Sequence, residues 1–215
     1  EDKIEVIHNW GYSDELINIR NNENKFLLDN QIENNHYKVV YAGNIGAMQN
    51  IEVIMKAAKI LENFDKVKFY IIGDGVLKQS YIEYANSNKL NNVIFFPMQP
   101  SDYAPHIYAM ADINIIPLKK GIIKTALPSK TANCLSCGKP IIACVDKDSM
   151  FANMISACEK CVVIDSNDSE KLAACIKEFY ENSISGYSAD TRDLFKDKFL
   201  KSKNTQRYIE TIRNM

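Results

Sequence analysis

The chain alternates short, continuously apolar runs with longer stretches in which apolar residues return every third or fourth position. Tyr37 to Ala42 (YKVVYA) is the first run; it ends at Gly43-Asn44-Ile45-Gly46, after which Ile51, Ile54, Met55, Ala58 and Leu61 recur at helical spacing. That order is strand, glycine turn, helix. Val67 to Ile72 (VKFYII) then runs into Gly73-Asp74-Gly75 and a weaker helical pattern over 77–90. Val93 to Phe96 is followed by a Pro-bounded loop and a predicted helix over 101–110, with Ser101 as its cap. Three more β-rich runs stand at 113–117, 140–145 and 161–164. Helices are predicted near 127–137, 149–157 and 169–182 and through most of 189–214.

Six apolar strands alternating with helices predict an α/β fold: a Rossmann-like, doubly wound parallel sheet of about six strands, covered by helices on both faces. Residues 37–186 form this domain in the reading, and residues 187–215 add carboxyl-terminal helices. Residues 1–36 are Asn-rich and weakly patterned, and read as an inter-domain connector with little core of its own.

The composition keeps this picture within ordinary globular bounds. At 215 residues, 46% apolar and 25% charged, the chain can bury a core without cross-links. A net charge of −1 argues against a broad nucleic-acid footprint, which needs Lys and Arg gathered on one face. The start, EDKIEVIHNW, has neither the basic nor the apolar region of a signal peptide, and no run approaches a spanning helix, so the expected location is cytoplasmic. A first residue of Glu rather than Met reads as a fragment or a trimmed product, with an amino-terminal portion expected to be missing.

In an open α/β sheet, ligands bind beyond the carboxyl ends of the strands where the strand order reverses. The loops that follow the strands are therefore the candidates. Gly43-Asn44-Ile45-Gly46 lets backbone approach a ligand closely and aims a helix N-terminus at an anion such as a diphosphate, though the same four residues also describe a tight βα turn. Gly73-Asp74-Gly75 reads more simply as a tight turn. In Leu127-Pro128-Ser129-Lys130, Pro128 presets the first helical turn while Ser129 and Lys130 supply a donor and a cation; the bland alternative is a capped helix with a solvated lysine.

Six cysteines in a chain without a secretory signal read as thiols, catalytic groups or ligands rather than as disulfides. Cys134-x-x-Cys137 and Cys158-x-x-Cys161, separated by 20 residues, match one textual pattern of a four-thiolate zinc site. The intervening residues hold a complete apolar strand and a predicted helix, whereas zinc ribbons join their pairs by short loops. Buried reduced thiols are the favoured reading. His8, His36 and His106 have no metal-ligand spacing; His106 could reach the crevice, but a surface histidine is the favoured reading, and no GxSxG elbow or paired-carboxylate spacing appears.

Taken together, VVYAGNIGAMQNIEVIMKAA, KFYIIGDG, NVIFFPMQPSDYAPHIYAMADINIIPL and LPSKTANCLSCGKPIIAC resemble, in order and spacing, the carboxyl-terminal half of the group 1 (family 4) retaining glycosyltransferases. The resemblance is to the bacterial polysaccharide branch that transfers fucose- or fucosamine-like sugars, and IEVIHNWGY looks like the segment that crosses between the two domains of those enzymes. It implies one half of a two-domain GT-B fold that binds a UDP- or GDP-linked nucleotide-sugar donor and needs no cofactor or metal. The glycan or lipid-linked acceptor would be bound mainly by a missing amino-terminal domain, and the whole protein could associate peripherally with the inner face of the cell membrane.

The implied donor site comprises Gly43, Asn44, Gly46, Gly73, Met98, Thr125, Leu127, Pro128, Ser129, Lys130 and Asn133, with the diphosphate against Gly43–Gly46 and Ser129-Lys130, the base near the Phe96–Gln99 loop, and the ribose near the start of the helix that contains Asn133. The sequence departs from the family at Met48, where many members carry Lys, and at Thr125 and Asn133, where many carry a glutamate pair eight residues apart. Weaker donor binding is the expected consequence, with Lys119, Lys120 or Lys124 as possible substitutes. The rival from the residues themselves is a non-catalytic Rossmann-like module that binds a nucleotide or phosphorylated metabolite.

Overall fold

The computed structural model describes residues 4–124 and 127–213. Six strands, β1 Tyr37–Ala42, β2 Val67–Ile72, β3 Val93–Phe96, β4 Ile113–Pro117, β5 Ile141–Cys144 and β6 Cys161–Ile164, form one wholly parallel sheet in the order β3-β2-β1-β4-β5-β6. The α/β, Rossmann-like expectation holds, because strands buried on both faces cannot tolerate polar alternation. All six residues of β1 are buried, including Lys38.

The strands divide two apolar layers. On one face Val39, Phe69 and Ile71 pack with α2 (Ile51–Ile60), α3 (Lys78–Ser87) and α7 (Ser169–Glu181). On the other, Val40, Tyr70 and Ile116 pack with α4 (Ala104–Met110), α5 (Lys130–Ser136), α6 (Met150–Ser156) and α8 (Ala189–Lys198). α9 (Lys201–Arg213) follows α8.

Local chemistry sets several boundaries. Ser149 caps α6 by accepting from the Ala152 N–H at 3.1 Å, and Asp168 caps α7 by accepting from Lys171 N–H at 2.9 Å. Ser101 does not cap as expected: residues Ser101–Tyr103 form a 3₁₀ turn with no side-chain cap, and the helix proper begins at Ala104.

Residues before the first strand are more engaged than their pattern implied. Helix α1 (Lys25–Asp29) buries Phe26 and Leu27, and the Phe26 ring meets Phe96 edge-on at 5.2 Å. Its cap Asn24 is buried and donates to the His106 carbonyl at 2.7 Å, while the Lys25 N–H donates to His106 Nδ1 at 3.1 Å. His106 therefore serves to seat α1. Five residues are too few for a helical period to be seen, so this core contribution had no periodic signal.

Candidate functional site

The strand order reverses between β1 and β4, and there the ladder is short. Only Val39 with Ile113 and Val40 with Asn114 pair, while Tyr41 and Ala42 continue in register with β2 alone. The two strands part beyond Val40, and the opening is the crevice that a switch point provides. Loops from both sides meet over it. The Lys119 N–H donates to the Met48 carbonyl at 3.0 Å, and Asn50 donates to the Ser166 carbonyl at 2.6 Å, which fixes the end of the first loop just before α2.

The 43–46 turn rests directly on the 73–75 turn. Gly43 N–H donates to Ile72 O at 2.9 Å, Ile45 N–H to Asp74 O at 2.7 Å, and Leu77 N–H to Ile45 O at 3.1 Å. Two of the amides nearest the crevice are thus engaged by the fold, leaving those of Asn44 and Gly46 without a hydrogen-bond partner among the described residues. Gly73, at φ +149°, makes the close pass possible: a Cβ there would overlap the Gly43 carbonyl oxygen and stand 2.9 Å from its carbonyl carbon. Tyr41, buried below the turn, donates its hydroxyl to the Asn44 carbonyl.

Into this corner comes Lys130. The residue as a whole is partly buried, and its Nζ is fully buried and finds no hydrogen-bond partner among the described residues. Nζ lies 3.7 Å from the centre of the Tyr41 ring and 3.0 Å from where a Cβ of Gly43 would stand. The first glycine turn and the Leu127-Pro128-Ser129-Lys130 turn are therefore brought together, although 89 positions separate Tyr41 from Lys130. Desolvation by burial lowers the amine to about 7, a shift that the Cys134 thiol opposes without cancelling. Cys134 itself is pushed up to about 12 by burial.

Around this corner, Ser129 is exposed at the start of α5, and Leu127 and Pro128 precede it with Leu127 38% exposed. Thr125 lies outside the described residues. Met98 is 55% exposed on the loop after β3, which Gly73 N–H joins by donating to Phe96 O at 3.2 Å. Asn133 accepts at Oδ1 from Tyr12 N–H at 2.9 Å, so its carbonyl oxygen is engaged and its Nδ2 is left. Lys124 is paired with Asp148 at 3.1 Å.

Two contributors lie outside the residues that the sequence singles out. Tyr41 supports both Asn44 and Lys130, and the only sequence sign was an aromatic two positions before a glycine. Lys78, the first residue of α3, donates from Nζ to Gly73 O at 2.8 Å and Phe96 O at 3.1 Å, tying the ends of β2 and β3 beneath the crevice. A lysine three residues after Gly-Asp-Gly was the available signal.

All six cysteines are free and buried. Among the described residues no three His, Cys, Asp or Glu gather to hold a metal, so the two CxxC pairs do not converge on a four-thiolate site. Cys134 and Cys137 lie on and just after α5, packed in the core. Cys158 and Cys161 close a turn in which Cys161 N–H donates to Cys158 O at 3.0 Å. No helix among the described residues is long and apolar enough to cross a membrane.

Comparison with known proteins places this geometry. Among solved structures, the Anabaena protein Alr3699/HepE in complex with UDP and glucose superposes with a TM-score of 0.78 at 16% identity, over 98% of this chain and 57% of that one. The C-terminal domain of the group 1 glycosyl transferase LpcC from Francisella tularensis gives 0.72 at 15% identity, over 89% of this chain and 100% of that one. These likenesses establish the fold as one half of the GT-B type. In sequence, the probable glycosyltransferase WbjE of Pseudomonas aeruginosa is 25% identical over 80% of this chain and 43% of its own length. The putative colanic acid biosynthesis glycosyl transferase WcaI of Escherichia coli K12 is 34% identical over 52% of this chain and 28% of its own. The chain thus spans less than half the length of these curated relatives. Residues 22–197 match the family described as glycosyl transferases group 1, and the chain belongs to that family.

Proposed function

We propose that this chain is the carboxyl-terminal, donor-binding domain of a retaining, hexosyltransferase-type glycosyltransferase that moves a sugar from a UDP- or GDP-linked donor to a glycan or lipid-linked acceptor in surface polysaccharide synthesis. The observation that carries the reading is the buried, unpartnered Nζ of Lys130 beside the Gly43 turn, at the opening between β1 and β4. An isolated buried ammonium is costly, and an anion in the crevice would relieve that cost. The diphosphate would lie over Asn44 and Gly46, whose amides are open, with Ser129 and Lys130 opposite. The base would sit toward Met98 and the ribose toward Nδ2 of Asn133.

Support comes from several sides. Alr3699/HepE has been crystallised with UDP-glucose and with UDP, and the LpcC domain that this chain covers completely is a C-terminal one. The name of WcaI refers to the biosynthesis of a polysaccharide, colanic acid, and the motif residues of this chain support the fucosyl- or fucosaminyl-like branch. As the sugar–phosphate bond breaks, Lys130 and the two amides would hold charge on the departing diphosphate, a preorganised stabilisation of the transition state. Where Met48 supplies no cation, Lys119 stands next to it through its 3.0 Å backbone bond, whereas Lys124 is occupied by Asp148.

In this reading residues 1–36 connect to an amino-terminal domain that binds the acceptor, and the whole protein works in the cytoplasm at the inner face of the membrane. The 215-residue chain binds donor but turns over poorly, because domain closure and the acceptor side are absent. Isothermal titration with UDP, GDP and their sugar conjugates tests it. One of these ligands should bind the native chain and lose most of its affinity in Lys130→Ala; equal affinity in the two proteins removes Lys130 from the site.

A further inference from the structure

Lys130 is unusual less for its position than for its surroundings. Among the described residues Nζ has no hydrogen-bond acceptor, and the groups that surround it are neutral. From β1 it meets the ring of Tyr41, whose phenol is raised above its ordinary range by burial. On its own helix the nearest thiols are Cys134 and, beyond it, Cys137, both raised by burial. Helix α4 carries Tyr108, beside Cys134, Cys137 and Tyr41 and also raised by burial, while its His106 faces Lys25, Asp102 and Asp29 instead. Strand β4 carries no titratable residue. On α8, Asp190 is held by Ser188, Glu159 and Thr191, and Arg192 donates to the Ile17 carbonyl and lies over Tyr187. Among the described residues no carboxylate balances the amine.

A ring face attracts an ammonium by roughly 0.5–2 kcal/mol, whereas burying an unpaired charge costs several kcal/mol, so the neutral amine competes with the cation in the empty site. We infer that donor binding is coupled to proton uptake at Lys130: the empty crevice holds a largely neutral amine against Tyr41, and the incoming diphosphate, by supplying the missing negative charge, draws a proton from solvent onto Nζ. This rests on the donor-binding reading above. The balance is one proton, transferred from water or buffer to the amine, with no bond of the donor broken.

The lowering of this amine to about 7 fixes the window. A group that binds its proton more tightly in the complex than in the free chain takes up little below pH 7, where it is already charged, and up to one proton above it. Donor affinity should therefore be flat below about pH 7 and fall by up to about tenfold per pH unit above it. The effect persists until the bound-state amine also titrates. In the crevice, then, donor affinity is set by pH within the neutral range.

The experiment is calorimetric titration with UDP-glucose and GDP-mannose, whose diphosphates are diesters and carry no titrating proton near neutrality. Each is run at pH 6 and pH 8.5 in two buffers of different ionisation enthalpy, on the native chain and on Lys130→Arg. The native chain should take up close to one proton at pH 8.5 and close to none at pH 6, and Lys130→Arg, always charged, should take up none at either. Binding at pH 8.5 without proton uptake, or equal uptake in Lys130→Arg, overturns the inference while leaving donor binding intact. If the variant does not fold, the pH dependence of the native chain decides alone. Absence of binding by both sugars and by UDP and GDP at either pH overturns the donor-binding reading itself.

Discussion

The backbone of Gly43 occupies the space where a side chain on Gly73 would be: a Cβ at Gly73 would overlap the Gly43 carbonyl oxygen. The two glycine turns are thus one unit, and only the second needs its glycine for packing as well as for φ. Gly73→Ala should destabilise the chain by about 3 kcal/mol, from left-handed strain and from displacement of the 43–46 turn. Chemical denaturation checks this, and an unchanged midpoint would mean that the turns are not in contact.

The amine of Lys130 makes a separate prediction for the empty chain. Its folded-state value, about 7, lies below the ordinary lysine value of 10.5, so between these pH values the unfolded chain binds the extra proton. Stability from this group is therefore lowest below pH 7 and recovers as pH rises from 7 toward 10. Relative to Lys130→Met, the native chain should gain about 3–4 kcal/mol across that range, read from urea unfolding at several pH values. Parallel curves for the two proteins would place the amine in water.

Tyr41→Phe keeps the ring beneath Lys130 and removes the donor to the Asn44 carbonyl. The loss of one buried hydrogen bond should cost about 1 kcal/mol and lower the melting temperature by about 2–4 °C. Nucleotide binding should weaken by less than in Lys130→Ala, because the cation stays. A binding loss equal to that of Lys130→Ala would show that the hydroxyl, not the amine, organises the crevice.

What could be read from the sequence follows from the range of the interactions. The six strands stood out because each is a short apolar run with glycine, proline or polar punctuation at its ends. The closeness of the 43–46 and 129–130 segments followed from topology, since parallel strands send their following loops to one edge. Side-chain destinations were not legible. Nothing in the order of residues says that Lys130 turns onto Tyr41, that Gly43 and Ile45 amides are engaged by the neighbouring turn, or that Asn133 meets the Tyr12 N–H. Phe26 and Leu27 escaped notice because their helix is shorter than two turns, and their burial depends on His106 receiving Lys25 from 81 positions away.

The cysteines give a prediction from burial. All six are free and buried, so Ellman's reagent should label the native chain slowly and the unfolded chain at all six thiols. Zinc measured by mass spectrometry on the purified chain should be far below one per chain. Stoichiometric zinc released by thiol modification would contradict the arrangement of the two CxxC segments.

The most direct measurement is an amide-resolved NMR titration of the 215-residue chain with UDP and GDP. Binding of either should move the backbone resonances of Asn44, Gly46, Ser129 and Lys130 together, with those of Gly43 and Ile45 less affected because their N–H groups stay within the fold. Shifts confined to another face, or movement of one turn without the other, would contradict the diphosphate-binding crevice.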